Sequence, residues 1–310
     1  MRTGVDGPLK PPRLRPGSRV ALIAPAGPVT AERVERAVAQ CAALGVEGIV
    51  GEAALGRHGY LAGPDAARAR DFAWALGDPD IDAVWALRGG YGTMRLLGTL
   101  DLPALRARPR PFIGFSDNTA MHLAFARAGV VSYHAPHAGG PFPAFTEACF
   151  RSVLFEPRPA GVLPIPAGAP APCGIVSGCV EGRIAGGNLA LLAAACGTPV
   201  ALDTRGAILF LEDVGESNYR IDRTLTQLLL ASALEGVAGI AFGRFTEPLP
   251  SDADLPLEDV LADFAARVGV PCVHGVPVGH VDDSWSLPLG VLARLDADAG
   301  SVEILEAAVS

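Results

Sequence analysis

Pro111-Phe-Ile-Gly-Phe-Ser-Asp-Asn-Thr119, followed directly by Ala120-Met-His-Leu-Ala-Phe-Ala-Arg-Ala128, is the stretch from which the fold is read. The apolar run over 111–115 suits a buried strand, and 120–128 suits a helix opening within a few residues of it. A strand passing so sharply into a helix is the repeating joint of an α/β layer with a mostly parallel sheet. Ser116 stands at that joint, where its hydroxyl would project at the carboxyl edge of the sheet. The N–H of Asp117 would then point at any oxyanion formed there. The plainer alternative is a serine that N-caps the next helix, and the pattern is not GxSxG.

The same alternation extends on both sides. Strands are expected over 20–24, 48–50 and 83–87, and helices over 30–43 and 64–76, with another opening near Thr93. Arg68, Arg70 and Asp71 are expected on the wet face of the 64–76 helix. The segment EPRPAGVLPIPAGAPAPC (156–173) holds six prolines and reads as an inter-domain linker. Beyond it, strands are expected over 178–184, 207–211, 239–242 and 271–278, helices over 188–196, 220–233 and 257–268, and an antiparallel pair over 290–305. The expected division is an N-terminal α/β domain over 1–156, the linker over 157–173, and a C-terminal domain over 174–310.

Three further segments can carry chemistry. In Leu87-Arg-Gly-Gly-Tyr-Gly-Thr93 a strand ends in glycines, whose N–H groups can approach a ligand closely. It is neither GxGxxG nor a P-loop, and an ordinary βα turn would look similar. In Leu209-Phe-Leu-Glu-Asp-Val-Gly-Glu216 an apolar strand ends in acids. Glu212 at the strand end suits the orientation and charge-balancing of a histidine, with Asp213 and Glu216 as competitors and a solvated helix-capping loop as the bland reading. In Gly279-His-Val-Asp-Asp-Ser-Trp285 a histidine sits among small and polar residues, suited to take and return a proton or simply to be solvated. His134 and His137 flank Pro136, but without nearby carboxylates they make a poor metal pair.

Composition narrows the classes. Half of the 310 residues are hydrophobic and 19% are charged, enough for sizeable cores and too apolar for global disorder. The net charge of -8, with basic residues scattered and Lys10 the lone lysine, argues against nucleic-acid binding. Six cysteines without a CxxC pair suit free thiols in a reducing compartment. The apolar run over 20–24 is too short for a signal h-region, and no stretch reaches the roughly 20 apolar residues of a membrane helix. A cytoplasmic, soluble protein is expected.

Taken in order, SRVALIAPAGPV (18–29), ALRGGYG (86–92), GFSDNT (114–119), GGNLALL (186–192) with GTP (197–199), FLEDVGESNYRIDR (210–223) and GHVDDSWSLPLG (279–290) make the chain resemble the LD-carboxypeptidase family of serine peptidases, which includes the microcin C immunity proteins. The resemblance spans almost the whole chain. It implies an N-terminal flavodoxin-like parallel-sheet domain, a smaller β-rich C-terminal α/β domain, and a homodimer. It also implies Ser116 as nucleophile, Glu212 as acid and His280 as base, with an oxyanion hole from the N–H of Asp117 and of Gly90, Gly89 being the close alternative. Asp282 and Asp283 are near enough to perturb His280 or to substitute for Glu212. No cofactor or metal is implied.

The bond implied is that between an L-centre and a terminal D-amino acid, diaminopimelate to D-Ala in muropeptide tetrapeptides, cleaved during cell-wall recycling. Arg88, the RGGYG amides (Gly89, Tyr91) or Asn188 would bind the small peptide and its terminal carboxylate. The rival within the family is hydrolysis of microcin-like aminoacyl-nucleotide amides, with Trp285 as a stacking platform for the base. The muropeptide is favoured because the loop between Phe242 and Leu257 is short and has no aromatic beyond Phe245. A non-catalytic muropeptide or D-amino-acid binding module is the alternative from another class. Neither a nucleic acid nor a membrane is expected as a partner.

Overall fold

The computed structural model describes residues 7–247 and 255–310. Along the chain the first half runs β1 (Arg19–Ile23), α1 (Ala31–Leu44), β2 (Glu47–Val50), α2 (Asp65–Gly77), β3 (Ala83–Ala86), a 3₁₀ helix (Thr93–Thr99), α3 (Leu102–Ala107), β4 (Phe112–Gly114), a 3₁₀ turn (Ser116–Asn118), α4 (Thr119–Ala128), β5 (Ser132–His134) and α5 (Ala144–Leu154). Then come β6 (Gly161–Val162), β7 (Cys173–Val176), β8 (Cys179–Asn188), α6 (Leu189–Ala194), β9 (Ala207–Val214), α7 (Asn218–Leu230), β10 (Gly239–Thr246), α8 (Leu257–Val268), β11 (Cys272–His274), β12 (Leu287–Leu289), β13 (Leu292–Asp296) and β14 (Ser301–Ile304).

The first sheet has the order β12-β5-β4-β3-β1-β2. Its five strands from the first half are parallel, in the 2-1-3-4-5 order of flavodoxin-like folds. In such a sheet ligands bind at the carboxyl ends of the strands, and the loops after β3, β4 and β5 all open there. The strands are buried on both faces, as the near-continuous apolar runs require: β1 and β3 expose almost nothing. Trp85 anchors one face, stacked on Phe150 with ring centroids 4.8 Å apart and donating its indole N–H to Pro136 O. A side chain of that size buries enough apolar area to contribute about 2–3 kcal/mol.

The second sheet has the order β6-β14-β13-β8-β9-β10-β11-β7, parallel from β8 through β11 and antiparallel outside them. The chain returns once to the first sheet, where Leu287–Leu289 pairs antiparallel with β5. Residues of the 157–173 segment lie along the second sheet: Leu163 N–H donates to Val302 O, and Pro164 O accepts from Trp285.

Three expectations need correction. Arg68 and Asp71 do not face water: both are buried, because Arg68 donates to the carbonyls of Pro25 and Gly92 and pairs with Asp65, while Asp71 accepts from Ala53 N–H. Arg68 thus ties the loops after β1 and β3 together from beneath. Strand β9 runs on to Val214, so Glu212 lies inside the strand rather than at its end. Strand β10 likewise continues to Thr246, shortening the loop that follows Phe242; residues 248–254 of that loop lie outside the described residues.

Candidate active site

Ser116 has φ 60°, in the left-handed region that a non-glycine residue occupies only under constraint. The constraint comes from the sharp exit of β4 into α4. It lifts the Ser116 hydroxyl out of the path of the helix, and the N-cap position of α4 falls at Asn118, whose side chain makes no capping bond, so Ser116 is not its N-cap. Its Oγ lies 3.1 Å from Nε2 of His280, and Nδ1 of His280 lies 2.8 Å from Oε2 of Glu212. Serine and histidine are partly accessible, whereas Glu212 is fully buried. Among the described residues its carboxylate has no hydrogen-bond partner except His280. A buried carboxylate of this kind fixes the ring orientation and gains most from the imidazolium when a proton is taken up.

The other acids are engaged elsewhere. Asp213 accepts from Asn188 Nδ2 at 2.8 Å and from Ala190 N–H, and Glu216 faces Arg220 at 3.5 Å. Asp282 lines the cleft without replacing Glu212 at His280 Nδ1, and the chain at Asp282 is tied back by Thr146 Oγ1 donating to its carbonyl.

Ser116, Arg88, Gly89, Gly90, His137, Gly279 and His280 line one cleft of about 460 Å³. Gly89 fits there because it has no side chain: a β-carbon would stand 2.9 Å from Ser116 Cβ and 3.1 Å from its Oγ. Gly90 takes φ +112°, again open only to glycine at low cost. Among the described residues the N–H groups of Gly89, Gly90 and Asp117 donate to no protein acceptor, so either glycine is free to serve beside Asp117. Two loops carry these donors, and the buried carboxylate of Asp117 joins them by accepting from the Thr93 N–H at 2.9 Å and its hydroxyl at 2.8 Å. Burial raises the Asp117 pKa despite those donors.

Phe115 is wedged among His134, His137 and His280, with ring centroids 5.8, 4.2 and 4.8 Å away. Burial holds the pKa of His134 and His137 well below the ordinary range, so both are neutral at neutral pH. They make no metal site with nearby acids: no cluster of three or more His, Cys, Asp or Glu able to hold an ion occurs among the described residues.

The structure does not bring Asn188 or Tyr91 into the cleft. Asn188 is buried and committed to capping α6 and holding Asp213, and the exposed Tyr91 ring faces Tyr60. Trp285 offers no stacking platform, being 1% exposed with its indole N–H on Pro164 O. Arg33, which reaches the cleft from α1, was not anticipated. Helical periodicity marks it only as a polar position, and its destination depends on a contact 54 residues away.

A two-sheet α/β fold with a hydrogen-bonded serine, histidine and glutamate at its cleft defines the class of serine hydrolases in geometric terms. Family models narrow it: the LD-carboxypeptidase N-terminal domain matches residues 20–135 and the LD-carboxypeptidase C-terminal domain residues 181–295. The chain belongs to the LD-carboxypeptidase family of serine peptidases. It is 44% identical over 305 residues to SCO6489 of Streptomyces coelicolor, whose name places it provisionally among carboxypeptidases, covering 96% of each chain. It is 38% identical over 291 residues to the murein tetrapeptide carboxypeptidase of Pseudomonas aeruginosa, covering 90% of this chain and 94% of that one. Among solved structures it resembles the muramoyltetrapeptide carboxypeptidase of Oxalobacter formigenes (TM-score 0.81, 33% identity, 94% and 99% covered). It also resembles the microcin C7 self-immunity protein MccF in complex with aspartyl sulfamoyl adenosine (TM-score 0.89, 25% identity, 98% and 100% covered).

Proposed function

We propose that this protein is a serine carboxypeptidase that hydrolyses the L,D-peptide bond of muropeptide tetrapeptides and releases the terminal D-Ala. The observation that carries the reading is the row Ser116 Oγ, His280 Nε2, His280 Nδ1, Glu212 Oε2, with separations of 3.1 and 2.8 Å across the bond-forming ends. His280 removes the Ser116 proton as Oγ attacks the carbonyl carbon. The tetrahedral oxyanion is held by the N–H groups of Gly90 and Asp117, each contributing about 3 kcal/mol in the transition state. Collapse breaks the C–N bond, and His280 gives its proton to the departing amine. Water then attacks the acyl-serine with His280 as base, releasing the shortened peptide as a carboxylate and restoring the Ser116 hydroxyl.

On this reading residues 1–156 carry the nucleophile and oxyanion donors and 174–310 carry the glutamate and histidine, with 157–173 between them, so both portions must be docked for turnover. The relatives named for murein peptides support the substrate class. Recycling in the cytoplasm by a homodimer is part of the proposal, supported by six free cysteines and by the family resemblance. No helix among the described residues is long and apolar enough to cross a membrane. Burial of Trp285 weighs against a nucleotide-amide substrate, since it removes the proposed surface for base stacking.

The test is release of D-Ala from a muropeptide tetrapeptide by wild type and Ser116→Ala, beside cleavage of an aminoacyl sulfamoyl adenylate. D-Ala release by wild type, lowered at least about 10³-fold by the substitution, is expected. Equal release by both proteins sinks the nucleophile, preferential cleavage of the adenylate sinks the substrate class, and tight peptide binding with no turnover by either points to a binding module.

A further inference from the structure

An exopeptidase has to distinguish a free terminal carboxylate from a continuing chain, and one wall of the cleft is built for an anion. Arg33, in the first turn of α1, donates its Nε–H to Leu87 O at 2.6 Å, the carbonyl just before the RGGYG loop. That single bond leaves the four N–H donors on its two terminal nitrogens for other partners. Arg88 is held a residue further on, with one guanidinium nitrogen donating to Pro28 O at 3.0 Å. Both side chains line the cleft that contains Ser116 and His280. Among the described residues neither guanidinium has a carboxylate within 4.0 Å, whereas Arg95, Arg183 and Arg294, for example, pair with acids.

Two cations facing one cleft repel one another, and the acid that also lines it, Asp282, pairs with neither; burial first, then the charges of Arg36 and Arg88, lower the Arg33 pKa. Such an arrangement favours an incoming anion that meets both. Its surroundings keep it open. Gly140 carries no side chain beside Arg33, where a β-carbon would come within 3.1 Å of a terminal nitrogen. His137, packed at the same wall, is held neutral by burial and by Arg33, so it neither competes for the anion nor adds charge. Gly89, the residue after Arg88, packs against Ser116, so the loop that carries Arg88 borders the attacking oxygen.

We infer that Arg33 and Arg88 together clamp the free α-carboxylate of the departing C-terminal residue and thereby restrict the site to exopeptidase cleavage. The inference rests on the carboxypeptidase reading above. Arg33 contributes the less flexible half, braced on the carbonyl of Leu87, and Arg88 the exposed half that closes on the ligand.

The experiment compares a tetrapeptide ending in a free D-Ala carboxylate with the same peptide ending in D-Ala amide, for wild type, Arg33→Ala, Arg33→Lys and Arg88→Ala. Wild type is expected to prefer the acid by about 100-fold or more in kcat/KM, and each alanine variant to lose about 10- to 100-fold on the acid while changing little on the amide. Arg33→Lys should recover part of the preference, because a point charge replaces the fork. An equal loss on acid and amide overturns the clamp and makes Arg33 a brace for the RGGYG loop. The same acid-to-amide comparison, made as peptide affinity on Ser116→Ala with and without Arg33→Ala, reads the clamp without turnover. Absence of any acid preference in binding overturns it even if D-Ala is released, whereas binding preference without release leaves the clamp standing and rejects the peptidase reading. If Arg33→Ala does not fold, judged by circular dichroism, Arg88→Ala carries the same test.

Discussion

Gly279 closes directly over Glu212: a β-carbon on Gly279 would stand 3.0 Å from Glu212 Oε2 and 3.1 Å from its Cβ, with Arg244 O also at 3.1 Å. The residue also takes φ +120°, which an L side chain adopts only with strain. Because Gly279 immediately precedes His280, the close approach sets the 2.8 Å bond between imidazole and carboxylate. Gly279→Ala is therefore expected to displace either the carboxylate or the histidine loop. We expect kcat to fall at least about 10²-fold with KM little changed, alongside a loss of stability of about 1–3 kcal/mol. Steady-state kinetics together with urea denaturation check both effects; unaltered kcat would mean the loop absorbs the methyl group without moving His280.

The sequence is informative where chemistry is local and silent where it depends on approach. Strand-helix alternation in the first half follows from apolar periodicity, and α8 is legible to the residue, since nothing remote competes with the pattern over 257–268. The Ser116 turn is legible as a joint, but its positive φ is not, because serine carries no signal for it. Asn188 is one of the candidates for the terminal carboxylate in the sequence, but the structure buries it. Its burial follows from a buried acid 25 residues away that needs a donor. The burial of Trp285, the platform that the rival substrate would need, likewise depends on a remote partner, Pro164, in a segment that reads only as linker. Strand β12 escapes periodicity altogether: Leu287-Pro-Leu289 is three residues of pairing with β5, specified by the edge it meets.

His122 makes the fold sensitive to acid. Its ring is fully enclosed, with Nδ1 2.9 Å from Ser132 Oγ and Nε2 2.8 Å from Gly114 O, so the neutral tautomer with a proton on Nε2 satisfies both ends. Burial lowers its pKa to about 4, against an ordinary value near 6.5. With the folded-state pKa depressed, the unfolded chain takes up the proton first. The stabilisation is complete above pH 6.5 and is lost as pH falls from 6.5 towards 4. The loss amounts to about 3 kcal/mol. His134 and His137 shift in the same direction for the same reason, so they steepen the decline. Urea midpoints measured between pH 7.5 and 4.5 should fall more steeply for wild type than for His122→Gln, which has no proton to take up. Parallel curves would show that His122 opens to water before the chain unfolds.

Thr119 and Asn188 join the helix after Ser116 to the strand beside Glu212. The Thr119 hydroxyl accepts the Asn188 N–H at 3.0 Å, and Asn188 in turn donates from Nδ2 to Asp213, the neighbour of Glu212. All three are buried, and Gly187 makes room for the contact, since a β-carbon there would fall 2.6 Å from the Thr119 oxygen. The chain of bonds fixes how far Ser116, three residues before Thr119, stands from the histidine that Glu212 orients. Thr119→Val keeps the shape of the side chain but leaves the Asn188 N–H buried without an acceptor, at a cost of about 1–3 kcal/mol. If the contact serves only stability, kcat well below the unfolding temperature stays at the wild-type level. If it sets the register between the two halves, kcat falls about 10-fold or more at that temperature while KM holds, because a misplacement of even 1 Å at the reacting atoms is costly. We expect the second outcome, and Thr119→Ser, which restores the acceptor, should return most of the rate.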